Sequence, residues 1–95
     1  MISGKERSYL KSLAHDLKPI VNIGKNSLTD EVITSIDEAL EKRELIKIKI
    51  LNNNLDDNDE IVDEVIEKLN CEFVSHLGNI FTIYRESKKN KKIDL

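Results

Sequence analysis

The stretch Lys18-Pro-Ile-Val-Asn-Ile-Gly-Lys-Asn-Ser-Leu-Thr-Asp-Glu31 decides how this chain is organised. It combines a short apolar strand, a loop and the first turn of an acidic helix. Pro19 disfavours helical geometry at the residue before it, so a preceding helix must end here. Gly24 is expected to let the loop turn where a Cβ would clash, and the neighbouring Lys25 adds a mobile positive charge. Because the first turn of a helix has unpaired N–H groups, this loop suits a phosphate-bearing ligand.

Three segments around this stretch have the apolar spacing and the caps of helices. Ser3 followed by Glu6 is a capping-box pattern, which predicts a first helix. Thr29 caps the second helix, and Asn58 or a neighbouring aspartate caps the third. The predicted helices cover residues 4–14, 30–43 and about 59–69. On the first helix, the apolar residues expected to share one face are Leu10, Leu13, Ala14 and Leu17.

Four segments have the composition of strands. The clearest is Leu45 to Leu51, in which isoleucines facing the core alternate with Lys47 and Lys49 facing outward. The others cover residues 20–23, 72–77 and 80–85. The dipeptide Gly78-Asn79 predicts a hairpin turn, because both residues tolerate positive φ. The chain is therefore predicted to be α/β, of order αβαβαββ, with helices packed on a small four-stranded mixed sheet.

Composition limits the chain to one small domain. Its 95 residues include no Trp and a single cysteine, Cys71, which has no intrachain partner for a disulfide and fits a reducing cytoplasm. No apolar run has the length of a membrane span, and the first residues lack the apolar core of a secretory signal. We therefore expect a cytoplasmic protein that does not enter a membrane.

Charge is distributed unevenly along the chain, whose formal net charge is −3. Residues 1–29 carry five basic and two acidic side chains, residues 30–72 carry five basic and fourteen acidic, and residues 73–95 carry five basic and two acidic. If the basic ends meet in space, the molecule has a positive face, and local potential rather than total charge attracts a polyanion. The alternative at this point is that the charged ends are simply solvated.

Catalytic and metal-binding patterns are not found in the sequence. His15 and His76 have no partner motif for nucleophilic catalysis, and Cys71 has no basic neighbour to activate it. The acidic run at 56–60 lacks the central glycine and the terminal glutamate of a calcium loop. No nucleotide-hydrolysing phosphate loop is present. We therefore expect a protein that is not an enzyme and that needs no metal or cofactor.

Phosphate binding is the chemistry that the remaining residues favour. Lysine acts as a point charge, and backbone N–H groups donate to phosphate oxygens. Aromatic residues for base stacking are scarce and are expected mostly in the core, which favours recognition of the backbone or shape of structured RNA. The candidate RNA-binding residues are Lys11, His15, Lys18, Gly24, Lys25, Asn26, Ser27, Lys47, Lys49, Lys88 and Lys89.

Four segments together resemble the YhbY-like family of bacterial RNA-binding proteins, which are stand-alone forms of the chloroplast RNA splicing and ribosome maturation (CRM) domain. The segments are Leu10–Val21, Ile23–Thr29, Glu44–Ile50 and Ile80–Arg85. The match extends over about residues 5–85. It is specific because Leu-Ala-His…Lys-Pro and Glu-Leu-Ile-Lys occur together in this order and spacing.

This resemblance implies a fold similar to the C-terminal domain of bacterial translation initiation factor three. It also implies a loop with the role of the Gly-x-x-Gly loop of KH domains, which clamps an RNA backbone, and an association with precursors of the large ribosomal subunit. Relatives usually have a second glycine where this chain has Ser27. The loop is therefore expected to be stiffer, with the Ser27 hydroxyl donating to a phosphate or capping the next helix.

Two hypotheses for function follow. In the first, a monomeric CRM-type domain at 1–86, with a mobile basic tail at 87–95, binds ribosomal RNA or its precursor and assists large-subunit assembly. DNA is not expected as a partner. Docking of Ile93 and Leu95 on the domain is the alternative to a mobile tail. In the second hypothesis, the acidic helices dock a basic ribosomal or assembly protein.

Overall fold

The order of elements along the chain follows the pattern of its sequence. The structure is a computed structural model that describes residues 2–95. Its elements are α1 (Gly4–Ala14), β1 (Pro19–Ile23), α2 (Asp30–Arg43), β2 (Leu45–Ile50), α3 (Asn58–Leu69), β3 (Glu72–Leu77) and β4 (Ile80–Tyr84). The predicted α/β class and the αβαβαββ order are confirmed.

Local side-chain chemistry determines where the helices begin and end. The Ser3 hydroxyl accepts from the backbone N–H of Glu6, and the Glu6 carboxylate accepts from the backbone N–H of Ser3, which completes the predicted capping box. Thr29 caps α2, also as predicted. The cap of α3 is Asp57, whose carboxylate accepts from two backbone N–H groups. This helix ends at Asn70, which has a left-handed φ of 51°.

The four strands form one mixed sheet of order β1-β2-β4-β3. β1 pairs in parallel with β2, and β4 is antiparallel to both β2 and β3. The last strand of the chain is therefore an interior strand of the sheet. The predicted hairpin turn at Gly78-Asn79 is confirmed, because these two residues join the antiparallel strands β3 and β4. Gly78 has a φ of 60°, whereas Asn79 is not among the residues with positive φ. A single left-handed residue at the first position is the pattern of a type II′ turn.

One face of the sheet, called here the two-helix face, is covered by α2 and α3. The side chains of Ile46, Ile48 and Ile50 are buried there, as their alternation predicted. Phe81 and Ile83 of β4 are buried beside them. Each Å² of apolar surface removed from water contributes about 25 cal/mol. This face therefore supplies most of the hydrophobic stabilisation of the fold.

The opposite face, called here the one-helix face, is covered by α1 alone. The buried residues on this face are Leu10, Ala14, Leu45, Val74 and Tyr84. Leu13 and Leu17, which the helical spacing places on the same face as Leu10, are each 40% exposed. A helix with its side chains is about 10 Å wide, whereas four strands spaced about 4.8 Å apart form a wider surface. One helix cannot cover this surface, so side chains on its flank stay in contact with solvent.

The segment after β4 lies against the end of α2. Ser87 is buried, and its backbone N–H donates to the carboxylate of Glu44 at 2.7 Å. The same carboxylate accepts from the backbone N–H groups of Lys92 and Ile93. Ile93 then packs against the buried residues beneath α1. The segment predicted as a mobile tail is thus in contact with the domain. Ile93 packs on the domain, as the alternative to a mobile tail predicted.

Candidate nucleic-acid interface

The loop between β1 and α2 is a tight turn at the C-terminal end of β1. The backbone N–H of Ser27 donates to the carbonyl oxygen of Gly24 at 3.0 Å, which closes a four-residue turn. Lys25 and Asn26 occupy the two central positions and are exposed. The turn therefore presents one ammonium group and one carboxamide to solvent.

The left-handed residue of this turn is Ser27 rather than Gly24. Ser27 has a φ of 59°, whereas Gly24 is not among the residues with positive φ. A Cβ added to Gly24 would lie 3.8 Å from Leu51, which is an ordinary contact. The prediction that Gly24 supplies a turn that a Cβ would prevent is therefore wrong. Ser27, the position at which the family resemblance expects a glycine, has the conformation that favours glycine.

The neighbouring loop, residues 51–57, holds Ser27 in this conformation. The Ser27 hydroxyl donates to Oδ2 of Asp56 at 2.6 Å and accepts from the side-chain amide of Asn54 at 3.2 Å. The same amide donates to the carbonyl oxygen of Gly24 at 2.8 Å. The prediction that Ser27 caps α2 is wrong, because Thr29 does so. Local spacing gives no signal for Asn54 and Asp56, since both act on residues far away in the sequence.

Three predicted RNA-binding residues meet on the one-helix face. Lys11 and His15 of α1 and Lys47 of β2 line one groove, whose floor includes Thr82 of β4. Lys11 and His15 are exposed, and Lys47 is half-buried. Lys49 projects from the same face of β2, two residues nearer to the turn at 24–27. A row of cations, formed by Lys11, Lys47 and Lys49, therefore runs from α1 toward the turn.

Lys18 and the lysines after β4 lie outside this groove. Lys18 lines a second groove, which shares Lys47 with the first. The backbone N–H groups of Lys88 and Lys89 donate to the carboxylate of Glu41 in α2. Because α2 covers the two-helix face, these two lysines lie apart from the row of cations. The predicted site is thus divided into a continuous part on the one-helix side and a separate part beside α2.

The lysines on the one-helix side and in the turn contrast with Lys68 and Arg85, which form ion pairs. Within residues 2–95, no ion pair is formed by Lys11, Lys18, Lys25, Lys47 or Lys49. By contrast, Lys68 of α3 is paired with Glu64 at 3.8 Å, and Arg85 is paired with Asp37 at 2.8 Å. Ammonium groups without an internal partner keep their charge available for an external anion. The site is therefore electrostatically suited to phosphate.

Two further reactive side chains, those of Cys71 and His76, are in contact with other residues of the domain. Cys71 is buried, and burial raises the pKa of its thiol to about 11, so the thiol is protonated at neutral pH. His76 Nδ1 lies 3.3 Å from a carboxylate oxygen of Asp59.

Residues 2–95 contain no group of three or more His, Cys, Asp or Glu arranged to hold a metal ion. No helix in that range combines the length and apolar character needed to cross a membrane.

The fold and the site together define the class of domain to which the chain belongs. The chain is a small α/β domain that presents a lysine-bearing turn and, beside one helix, a row of cations that form no ion pair within residues 2–95. Its sequence matches the family model of the CRS1 / YhbY (CRM) domain over residues 2–85. The chain belongs to the CRS1 / YhbY (CRM) domain family, which confirms the resemblance seen in the sequence.

Similar proteins extend the match to nearly the whole chain. The Bacillus subtilis protein named "Probable RNA-binding protein YqeI" is 40% identical over 95 residues, which cover 100% of this chain and 99% of that protein. A Haemophilus influenzae protein named "RNA-binding protein" is 34% identical over 90 residues, covering 95% and 91%. The solution structure of the Staphylococcus aureus protein SAV1595 is 46% identical in sequence and superposes with a TM-score of 0.83, covering 100% and 99%. This agreement confirms the fold.

Proposed function

We propose that this protein is a non-enzymatic, monomeric RNA-binding protein that binds ribosomal RNA or its precursor in the cytoplasm and assists assembly of the large ribosomal subunit. The observation that carries the proposal is the set of cations that begins at Lys25 and continues through Lys49 and Lys47 to Lys11, none of which forms an ion pair with another described residue. Family membership and the RNA-binding names of the relatives support RNA as the polyanion. The ribosomal target rests on the family resemblance.

In the proposed mechanism, the turn at 24–27 holds the RNA backbone. The ammonium group of Lys25 binds a phosphate, and the carboxamide of Asn26 donates beside it. Asp30 and Glu31, in the first turn of α2, repel a phosphate placed on the helix axis. The phosphate therefore binds to the turn rather than to the end of the helix. Because Asp56 and Asn54 already fix the turn, less conformational entropy is lost when RNA binds.

Binding to a transcript of large-subunit ribosomal RNA at several salt concentrations tests the proposal. Lys25→Ala should weaken binding and lower the slope of log K against log salt by about one unit, because one phosphate contact is lost. Lys68→Ala is the matched control, since it removes a lysine that is paired with Glu64 on the two-helix side. The site assignment fails if the two variants bind alike. The function fails if the unchanged protein does not bind this RNA at low salt.

A second candidate function uses the outward side of α3. Asp63, Glu64 and Glu67 are exposed there, and their charge would attract a basic ribosomal or assembly protein. A complex of purified proteins that survives nuclease treatment, and that is lost when these carboxylates are changed to amides, would favour this function. Both functions can coexist, because this acidic surface and the row of cations lie on opposite sides of the sheet.

A further inference from the structure

The groove that contains Lys18 has an aliphatic floor, although it is open to solvent. The floor includes Leu13 and Leu17 near the end of α1, Ile20 of β1 and Ile93 near the C-terminus. The cavity has a volume of about 330 Å³. Leu13 and Leu17 are each 40% exposed, and Ile20 is 45% exposed. Several large apolar side chains left together in contact with water mark a binding surface more often than a folding requirement.

Four cations surround this aliphatic floor. The lining residues that carry them are Lys18, Arg43, Lys47 and Lys92, and the lining includes no acidic residue. Within residues 2–95, none of these four cations forms an ion pair. The groove therefore combines an apolar surface with unneutralised positive charge, which fits a ligand that has both an apolar face and negative charge.

The wall of the groove near the C-terminus is fixed by hydrogen bonds. The buried carboxylate of Glu44 accepts from the backbone N–H groups of Lys92 and Ile93. These bonds place the Ile93 side chain at the groove and the Lys92 side chain in its lining. The groove is thus formed before any ligand binds, which reduces the entropic cost of binding.

We propose that this groove holds one unstacked nucleotide of the bound RNA, with the face of its base on the aliphatic floor and its flanking phosphates on the surrounding cations. This inference rests on the proposed RNA-binding function. Lys47 lines both this groove and the groove of Lys11 and His15, so the two surfaces are continuous. The groove lies near the start of β1, at Ile20, and the turn at 24–27 follows the end of β1. At about 3.3 Å per residue the two are about 13 Å apart, so one RNA strand can reach both.

The chemistry of the floor also predicts how the nucleotide is recognised. The lining offers no aromatic ring for stacking and no carboxamide or hydroxyl for a base edge. Because the cations of the lining bind the flanking phosphates in this arrangement, the base edges stay in water at the open side of the groove. Binding here should depend on the presence of a base but only weakly on which base it is.

Oligonucleotides with and without bases test the assignment. The probes are a 12-nucleotide oligouridylate and the same oligomer with every nucleotide abasic, and affinity is measured by fluorescence anisotropy at several salt concentrations. The unchanged protein should bind the intact oligomer about fivefold more tightly. Leu17→Gln should abolish this preference and leave the salt slope unchanged, because no phosphate contact is lost. Leu55→Gln is the control, since Leu55 is 98% exposed and lines neither groove.

The outcomes separate this inference from the proposed function. Absence of binding to ribosomal RNA and to both oligomers contradicts the function itself. Binding in which Leu17→Gln keeps the base preference, or weakens both oligomers equally, overturns only the nucleotide site. If Leu17→Gln does not fold, the methyl NMR signals of Leu13, Leu17 and Ile93 in the unchanged protein decide. These methyl signals should shift when the intact oligomer is added and should not shift with the abasic oligomer. If they shift with an acidic leucine-rich peptide but not with RNA, the groove binds a protein segment instead.

Discussion

The two faces of the sheet are covered to different extents, and the difference separates the part that stabilises the fold from the part that is available for binding. Beneath α2 and α3, the side chains of the sheet are apolar and excluded from water. Beside α1, the sheet keeps Lys47 half-buried and Lys49 exposed, and the helix leaves Leu13 in contact with solvent. A small domain with one closed face can leave the other partly open without losing its core.

The largest expected effect is on the closed face. Phe81→Ala should reduce the free energy of unfolding by about 3–5 kcal/mol, because the ring is fully buried and its loss leaves a cavity. Leu13→Ala on the open face should cost less than about 1.5 kcal/mol, since much of that side chain is already in water. Urea unfolding of both variants makes the comparison. Equal losses would mean that the two faces contribute alike to stability.

A smaller effect is expected from Glu44, whose carboxylate holds the C-terminal segment on the open side. Burial raises the pKa of this carboxyl, but the N–H donors of Ser87, Lys92 and Ile93 outweigh it and hold the pKa below its ordinary value. Glu44→Gln should cost about 2 kcal/mol at neutral pH, because backbone donors lose their charged acceptor.

The pH dependence of the same carboxylate has a defined sign. Because its pKa is lowered on folding, its contribution is complete above the ordinary pKa of glutamate and is lost as the pH falls through the lower, folded value. Urea unfolding at a series of pH values should therefore show a shallower acid loss for Glu44→Gln than for the unchanged protein. Glu38→Gln, at an exposed position of α2, is the control. Parallel curves for all three proteins would contradict this role of Glu44.

The smallest effect is expected at Ser27, in the turn at the end of the sheet. Ser27→Gly removes the cost of a left-handed backbone at a residue with a side chain, which is about 1 kcal/mol. It also loses the hydrogen bonds of the hydroxyl, so its free energy of unfolding should stay within about 0.5 kcal/mol of that of the unchanged protein. Ser27→Ala keeps the unfavourable φ without the hydroxyl and should lose about 1–2 kcal/mol. If the alanine variant is as stable as the glycine variant in urea unfolding, the bonds to Asp56 and Asn54 do not hold the turn.

Local patterns predicted the elements well because their causes are local. The caps at Ser3 and Thr29 and the alternation along β2 involve residues at most a few positions apart. The solvent contact of Leu13 could not be predicted in this way, since it depends on how much of a sheet one helix can cover. The same holds for strand order, which depends on pairing between segments distant in the chain.

Local sequence patterns also predicted only part of the candidate site. The lysines of the turn and of β2 were visible as exposed charges in a pattern, and the structure brings Lys47 together with Lys11 and His15. The support of Ser27 by Asp56, and the presence of Arg43 in the second groove, come from contacts between distant segments. A single sequence shows which residue types are present, whereas these contacts require the fold.

The interior position of β4 has a consequence for how the protein is made. β3 has β4 as its only neighbour in the sheet, so β3 cannot join the sheet until residues 80–84 are available. The sheet of this protein is therefore complete only once residues 80–84 have been made, and until then the unpaired edge of β2 that β4 will cover is open to other chains.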